Sequence, residues 1–231
     1  MMSHLRRAGF WAADYAYAGL WQARAFLSRQ DPGEFASGSE RPVLILPGVY
    51  ENWRFMLPII RDLHGRGHPV HIVESLGHNR APVVDGARIV DDYLAEAGLR
   101  DVVIVAHSKG GLLGKQLMTF GESATRIRAM LAAATPFAGS RYARFMLNST
   151  LRSFSPGNET LTALARSLDV NERIVSVFPS FDPHIPEGSV LEGASNVRVQ
   201  TAGHFRVLAD PRTLAEARRL AFGHLPNAQS V

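Results

Sequence analysis

The stretch Val102-Val103-Ile104-Val105-Ala106-His107-Ser108-Lys109-Gly110-Gly111-Leu112 decides the fold. Residues 101–106 are almost wholly apolar and read as a strand covered on both faces. Residues 109–120 carry a helical pattern. Between the two lies Ser108, with the small residues Ala106 and Gly110 two places before and after it. A strand that turns directly into a helix leaves no room for large side chains at those two places. It also holds the central residue in a strained conformation. Such a turn lifts the serine hydroxyl out at the C-terminal edge of the sheet. The N–H groups that open the helix then face the position of a developing oxyanion. An ordinary strand–helix turn also uses Ser and Gly. The placement after an apolar strand and before a helix is what points to a nucleophile turn.

Outward from this turn, short apolar runs alternate with helical patterns. Strands are expected at 43–46, 69–73, 129–134, 173–178 and 196–201. Helices are expected at 52–65, 85–97 and 211–222, the last with Pro211 in its first turn. Alternation of this kind builds one mostly parallel sheet of about six strands, with helices on both faces. Residues 137–170 break the alternation with Phe145, Met146, Leu147, Leu151, Phe154 and a further helical pattern. They read as a helical cap or lid inserted over the strand ends.

The N-terminal part is organised differently. Residues 5–28 are alanine-rich, free of proline and helical in pattern. Phe10, Trp11, Tyr15, Tyr17, Trp21 and Phe26 are spread around that helix rather than gathered on one stripe. A helix apolar on several sides seeks burial against its own domain, a second subunit or a membrane surface. Residues 30–41 hold Pro32, Gly33, Ser37, Gly38 and Ser39 and read as a linker. The expected organisation is thus an aromatic helix and linker over 1–40 and an α/β domain over 41–231. Arg6 and Arg7 precede the apolar run, and Ala16-Tyr17-Ala18 has the form of a small-residue cleavage site. Asp14 inside the run and Arg24 after it argue against a signal peptide. A cytoplasmic location is expected, with peripheral membrane contact through the helix left open.

Composition excludes several functions. There is no cysteine, which removes disulfides, thiolate metal sites and cysteine nucleophiles. The formal charge is +4, nearly all of it arginine, since Lys109 and Lys115 are the only lysines. The arginines are scattered among acids, without a basic block, so no nucleic-acid partner is expected. No apolar run reaches the ~18 residues of a membrane span. No nucleotide loop, dinucleotide fingerprint or metal-ligand cluster is present, and neither a cofactor nor a metal is expected.

The chain resembles the lipases and esterases of the α/β-hydrolase fold from about residue 41 to residue 222. The likeness rests on Leu46-Pro47-Gly48-Val49, on the turn around Ser108, and on Thr135-Pro136-Phe137-Ala138-Gly139-Ser140. Asp182-Pro183-His184-Ile185-Pro186 and Gly203-His204 add to it. The resemblance implies that Ser108 is the nucleophile and His204 the base. Asp182 would be the acid that orients the base, in the chain order this fold requires. Asp169, Glu187 and Asp210 are the fallback acids. Backbone N–H groups of Val49 and Lys109 are the expected oxyanion donors, with the Lys109 side chain in solvent. His107 is expected to pack away from the site, and His184 to serve as a turn residue or to shape the site. The family's usual His-Gly before the first donor is Pro47-Gly48 here, and Ala106 replaces the usual glycine.

The implied reaction is acyl transfer through an acyl-enzyme, with esterase or lipase action on a small-molecule or lipid ester first. Thioesterase or acyltransferase action would use the same triad. A catalytically silent binding module of this fold is the alternative of another class. The sequence leaves the acyl group, the alcohol and the oligomeric state open.

Overall fold

The computed structural model describes residues 4–27 and 30–226, with side chains from residue 8 and without those of 25–27. The side chains of Arg6, Arg7 and Phe26 lie outside the described residues. Helix α1 spans His4–Leu27. A 3-10 turn at Pro32–Phe35 follows, capped by Asp31, whose side chain accepts from the Gly33 N–H. Phe35 buries its ring against Trp53 and His64, so the stretch read as a linker is pinned to the domain.

The sheet then begins. Strand β1 is Val43–Leu46 and leads through a 3-10 turn at Trp53–Met56 into α2, Leu57–His64. The expected helix over 52–65 is therefore two pieces, with Asn52 capping the first and Pro58 falling in the opening turn of the second. Next come β2 (Val70–Ile72), α3 (Val83–Glu96), β3 (Val102–His107) and α4 (Lys109–Phe120). Strand β4 is Ile127–Ala133. The segment that breaks the alternation carries two short helices, α5 (Ser149–Arg152) and α6 (Glu159–Arg166). Strand β5 (Ile174–Phe178), strand β6 (Ser195–Arg198) and helix α7 (Pro211–Ala221) complete the order.

The strands form a single sheet in the order β2-β1-β3-β4-β5-β6, with every neighbouring pair parallel. Alternate residues of each strand feed opposite cores. Val43 and Ile45 pack with Phe55, Ile59, Ala217 and Leu220, on the face covered by α2 and α7. Leu44 and Leu46 pack with Val90, Leu94, Leu113 and Leu117, on the face covered by α3 and α4. Burial on both sides explains why the central strands contain hardly any polar residue.

The order reverses at β1, which lies between β2 and β3. Loops leaving β1 and β3 diverge there and open a crevice at the C-terminal edge, where open α/β sheets bind ligands. No helix of the described residues is long and apolar enough to cross a membrane. Helix α1 lays Tyr17, Ala18 and Trp21 against the core beside the 3-10 turn Trp53–Met56.

Candidate active site

Ser108 sits between β3 and α4 with φ 49° and ψ −118°, a strained conformation for a residue with a side chain. Its own N–H donates to Ala133 O at 2.8 Å, which fixes the turn against β4. The glycines that follow are dictated by close approach. A Cβ on Gly110 would overlap the backbone carbonyl of Leu46, and one on Gly111 would overlap the Thr135 side chain. Ala106 is wholly buried within β3 and fits without strain as the other small residue of the turn.

Two loops bring the partners expected from the sequence. The loop after β5 carries Asp182, and the loop after β6 carries His204. His204 Nδ1–H donates to Asp182 Oδ2 at 2.9 Å, with both side chains buried. The other Asp182 oxygen accepts from the backbone N–H of His184 (2.8 Å) and of Ile185 (3.0 Å). Burial pushes the Asp182 carboxyl up, but the charge and hydrogen bond of His204 and the His184 N–H outweigh it. The carboxyl stands below its ordinary value. Burial pulls His204 down in turn, and the adjacent Asp182 carboxylate, aided by Glu51 and Asp14, outweighs that and raises it. His204 and Asp182 therefore form a closed pair.

Ser108 and His204 share one cavity of about 520 Å³, and no hydrogen bond joins them. The cavity is walled by apolar groups of the segment after β4, notably Ala143, Met146, Leu151 and Phe154, and by Trp11 and Tyr15 of α1. Val49, which follows Gly48, lines the same cavity. Among the described residues, neither the Val49 nor the Lys109 backbone N–H donates to a protein acceptor, so both remain free for a ligand oxygen.

The fallback acids lie elsewhere. Glu187 pairs with Arg141, and Asp210 caps α7. The Lys109 side chain corrects an expectation. It is buried rather than in solvent, and its ammonium donates to the carbonyl oxygens of Asn79 (2.8 Å) and Ala81. The carbonyls draw it inward by replacing the hydration that an ammonium loses on burial. His184 is more than a turn residue, since its ring lies 4.9 Å from that of His204 and lines the cavity. Burial, followed by the charge of His204, pushes the His184 pKa down to about 4.

Two groups escaped the sequence reading. Glu51, buried behind the β1 loop, accepts from the Gly48 N–H at 2.8 Å and from His107 Nδ1–H at 2.9 Å. His107 Nε2 meets the His204 carbonyl at 3.0 Å, so one carboxylate–imidazole pair links the loop after β1, the end of β3 and the loop after β6. No motif marks Glu51. The second is Asp14, whose carboxylate accepts from backbone N–H groups of the His204 loop; its signal was a lone charge inside an apolar run.

No protein-family model matches the chain, and no curated protein matches it by sequence. Solved structures do match. Lipase B of Aspergillus fumigatus is 16% identical with a TM-score of 0.66, over 87% of this chain and 56% of that one. This chain thus spans little more than half the length of that lipase. A mature lipase of Bacillus licheniformis is 13% identical with a TM-score of 0.63, over 83% of this chain and 96% of its own. A monoacylglycerol lipase of Paleococcus ferrophilus is 15% identical with a TM-score of 0.56, over 80% and 95%. With its six parallel strands, its strand order and these neighbours, the chain has the α/β-hydrolase fold.

Proposed function

We propose that the chain is a serine hydrolase that cleaves carboxylic esters with apolar acyl groups. One observation carries this reading. A strained serine at a strand–helix turn shares an apolar cavity with a histidine already hydrogen-bonded to a buried aspartate.

In this mechanism His204 Nε2 takes the Ser108 proton as Oγ attacks the acyl carbon. The imidazolium that forms is stabilised by Asp182. The tetrahedral oxyanion lies between the N–H groups of Val49 and Lys109. Each such donor contributes about 3 kcal/mol to the transition state. The alcohol leaves with the proton from His204, and water then hydrolyses the acyl-enzyme by the same route in reverse order. The wall built by residues 140–154 acts as the cap over an acyl chain, and the side chains it turns into the cavity are all uncharged, which favours an aliphatic one.

A panel of p-nitrophenyl esters of increasing acyl length, with wild type and Ser108→Ala side by side, tests the reading. Wild type is expected to prefer esters longer than acetate and to be labelled by a serine-directed phosphonate. Ser108→Ala should lose the label and at least about 10³-fold in kcat. An unlabelled wild type that hydrolyses no ester would refute the proposal.

A further inference from the structure

Asp14 is the only charge between Arg7 and Arg24 in the apolar N-terminal helix, and it is wholly buried. A carboxylate there is costly unless its lone pairs are met. Among the described residues no cation forms an ion pair with it. Three backbone donors meet it instead. Oδ2 accepts from the His204 N–H at 2.8 Å, and Oδ1 from those of Phe205 (3.0 Å) and Arg206 (3.1 Å). These groups open the 3-10 turn at Arg206–Ala209, where backbone donors lack acceptors of their own.

The contact also explains a glycine. Gly203 has φ 119°, and a Cβ there would overlap the Asp14 carboxylate. The Gly-His pair in the sequence is thus shaped by a residue 190 positions away. His204 is held at three points from three directions: its N–H by Asp14, its carbonyl by His107 and its ring by Asp182. The first tie is the one supplied by α1.

We propose that Asp14 is a positioning residue for the base, so that the N-terminal helix is a working part of the active site. The proposal rests on the hydrolase reading given above, in which His204 is the base. Asp14 acts on His204 in two ways. It fixes the loop from which the imidazole projects, and its charge favours the imidazolium. The other titratable groups facing His204 are Asp182 and His184 from the loop after β5, Glu51 from the loop after β1, and His107 from β3. Arg206 follows on its own loop. None of them touches the His204 N–H.

The test compares Asp14→Asn, Asp14→Ala, Asp14→Glu and a control on the same helix, Leu20→Ala, whose side chain is half exposed. kcat and KM are measured on one p-nitrophenyl ester from pH 5 to 9, and the His204 ring is titrated by NMR. Asp14→Asn keeps the shape, removes the charge and leaves one amide oxygen to accept where two carboxylate oxygens did. It should lower kcat about 10- to 100-fold with KM within about twofold. It should also move the acid limb and the His204 titration to lower pH, because the imidazolium loses a stabilising carboxylate. Asp14→Ala should be worse, Asp14→Glu should restore the pH position, and Leu20→Ala should match wild type. If Asp14→Ala does not fold, the asparagine variant and the NMR titration still decide. Wild-type kcat with an unmoved limb and titration in Asp14→Asn would overturn the proposal, as would a change in KM alone. In both cases an active, phosphonate-labelled wild type leaves the hydrolase reading standing. A wild type that is inactive and unlabelled overturns both.

Discussion

Ser108 owes its position to neighbours that have almost no side chain, and the glycines after it differ in what they tolerate. Gly110 faces the Leu46 carbonyl, which is locked in the β1 ladder and cannot move. Gly114 faces the Met130 thioether, a flexible group. Gly110→Ala should therefore cost upwards of about 3 kcal/mol or prevent folding. Gly114→Ala should cost about 1–2 kcal/mol, relieved by shortening Met130. Urea melts of the two variants check the ranking, and equal costs would contradict it. His204 yields a second expectation. In the proposed mechanism it serves as base only when neutral, and although burial lowers its pKa, Asp182 raises it above the ordinary 6.5. Its neutral fraction, and with it kcat/KM, should grow as pH rises through a value above 6.5. Asp182→Asn removes the stabilising charge, so the acid limb should move down while kcat falls about 10³- to 10⁴-fold. A pH–rate profile from 5 to 9 decides, and a limb that stays put in the variant would separate Asp182 from the base.

At the scale of elements, the segment after β4 and helix α1 meet over the cavity. Leu151 of α5 and Phe154 beyond it stand on one side, and Trp11 and Tyr15 on the other. Filling this space should shorten the acceptable acyl chain. Leu151→Trp is expected to lower kcat/KM for decanoyl esters at least about tenfold while leaving acetyl esters nearly unchanged. An equal loss across the series would instead mean a disturbed elbow. These elements were unevenly legible. Strands β1 to β5 announced themselves as apolar runs because helices cover both sheet faces. β6 is shorter than the run 196–201, since the sheet ends there and the chain leaves for the His204 loop. Ser108, Asp182 and His204, the residues of the proposed triad, were readable because small-residue turns and chain order are local signals. Glu51 and Asp14 were not, since their meaning lies in contacts made across 56 and 190 positions. The Lys109 side chain misled for the same reason: its acceptors are carbonyls of a distant loop.

The whole molecule separates its two kinds of cation. Arginine supplies the surface charge, as in the Arg218–Asp62 pair that ties α7 to α2 at 2.7 Å through two hydrogen bonds. Both lysines are buried in α4 instead. Lys109 has carbonyl acceptors, whereas Lys115 has only the Phe137 ring, 6.0 Å away, among the described residues. Burial pushes both pKa values down to about 8. The sign of the resulting pH dependence follows. Below pH 8 each lysine is charged in the folded and the unfolded chain, and the burial cost is constant. Between 8 and 10.5 the folded chain gives up the proton and the unfolded chain keeps it, so stability rises with pH. Lys115→Met keeps the volume and removes the charge. It should stabilise the fold at pH 7 by about 1–3 kcal/mol. That advantage should shrink steadily as pH climbs from 8 towards 10, as wild type sheds its buried charge. Urea denaturation of both proteins at pH 7, 8.5 and 9.5 measures it. An advantage that stays constant over that range would mean that Lys115 does not titrate there. A destabilised variant at pH 7 would mean that the Phe137 face is a better partner for the ammonium than water.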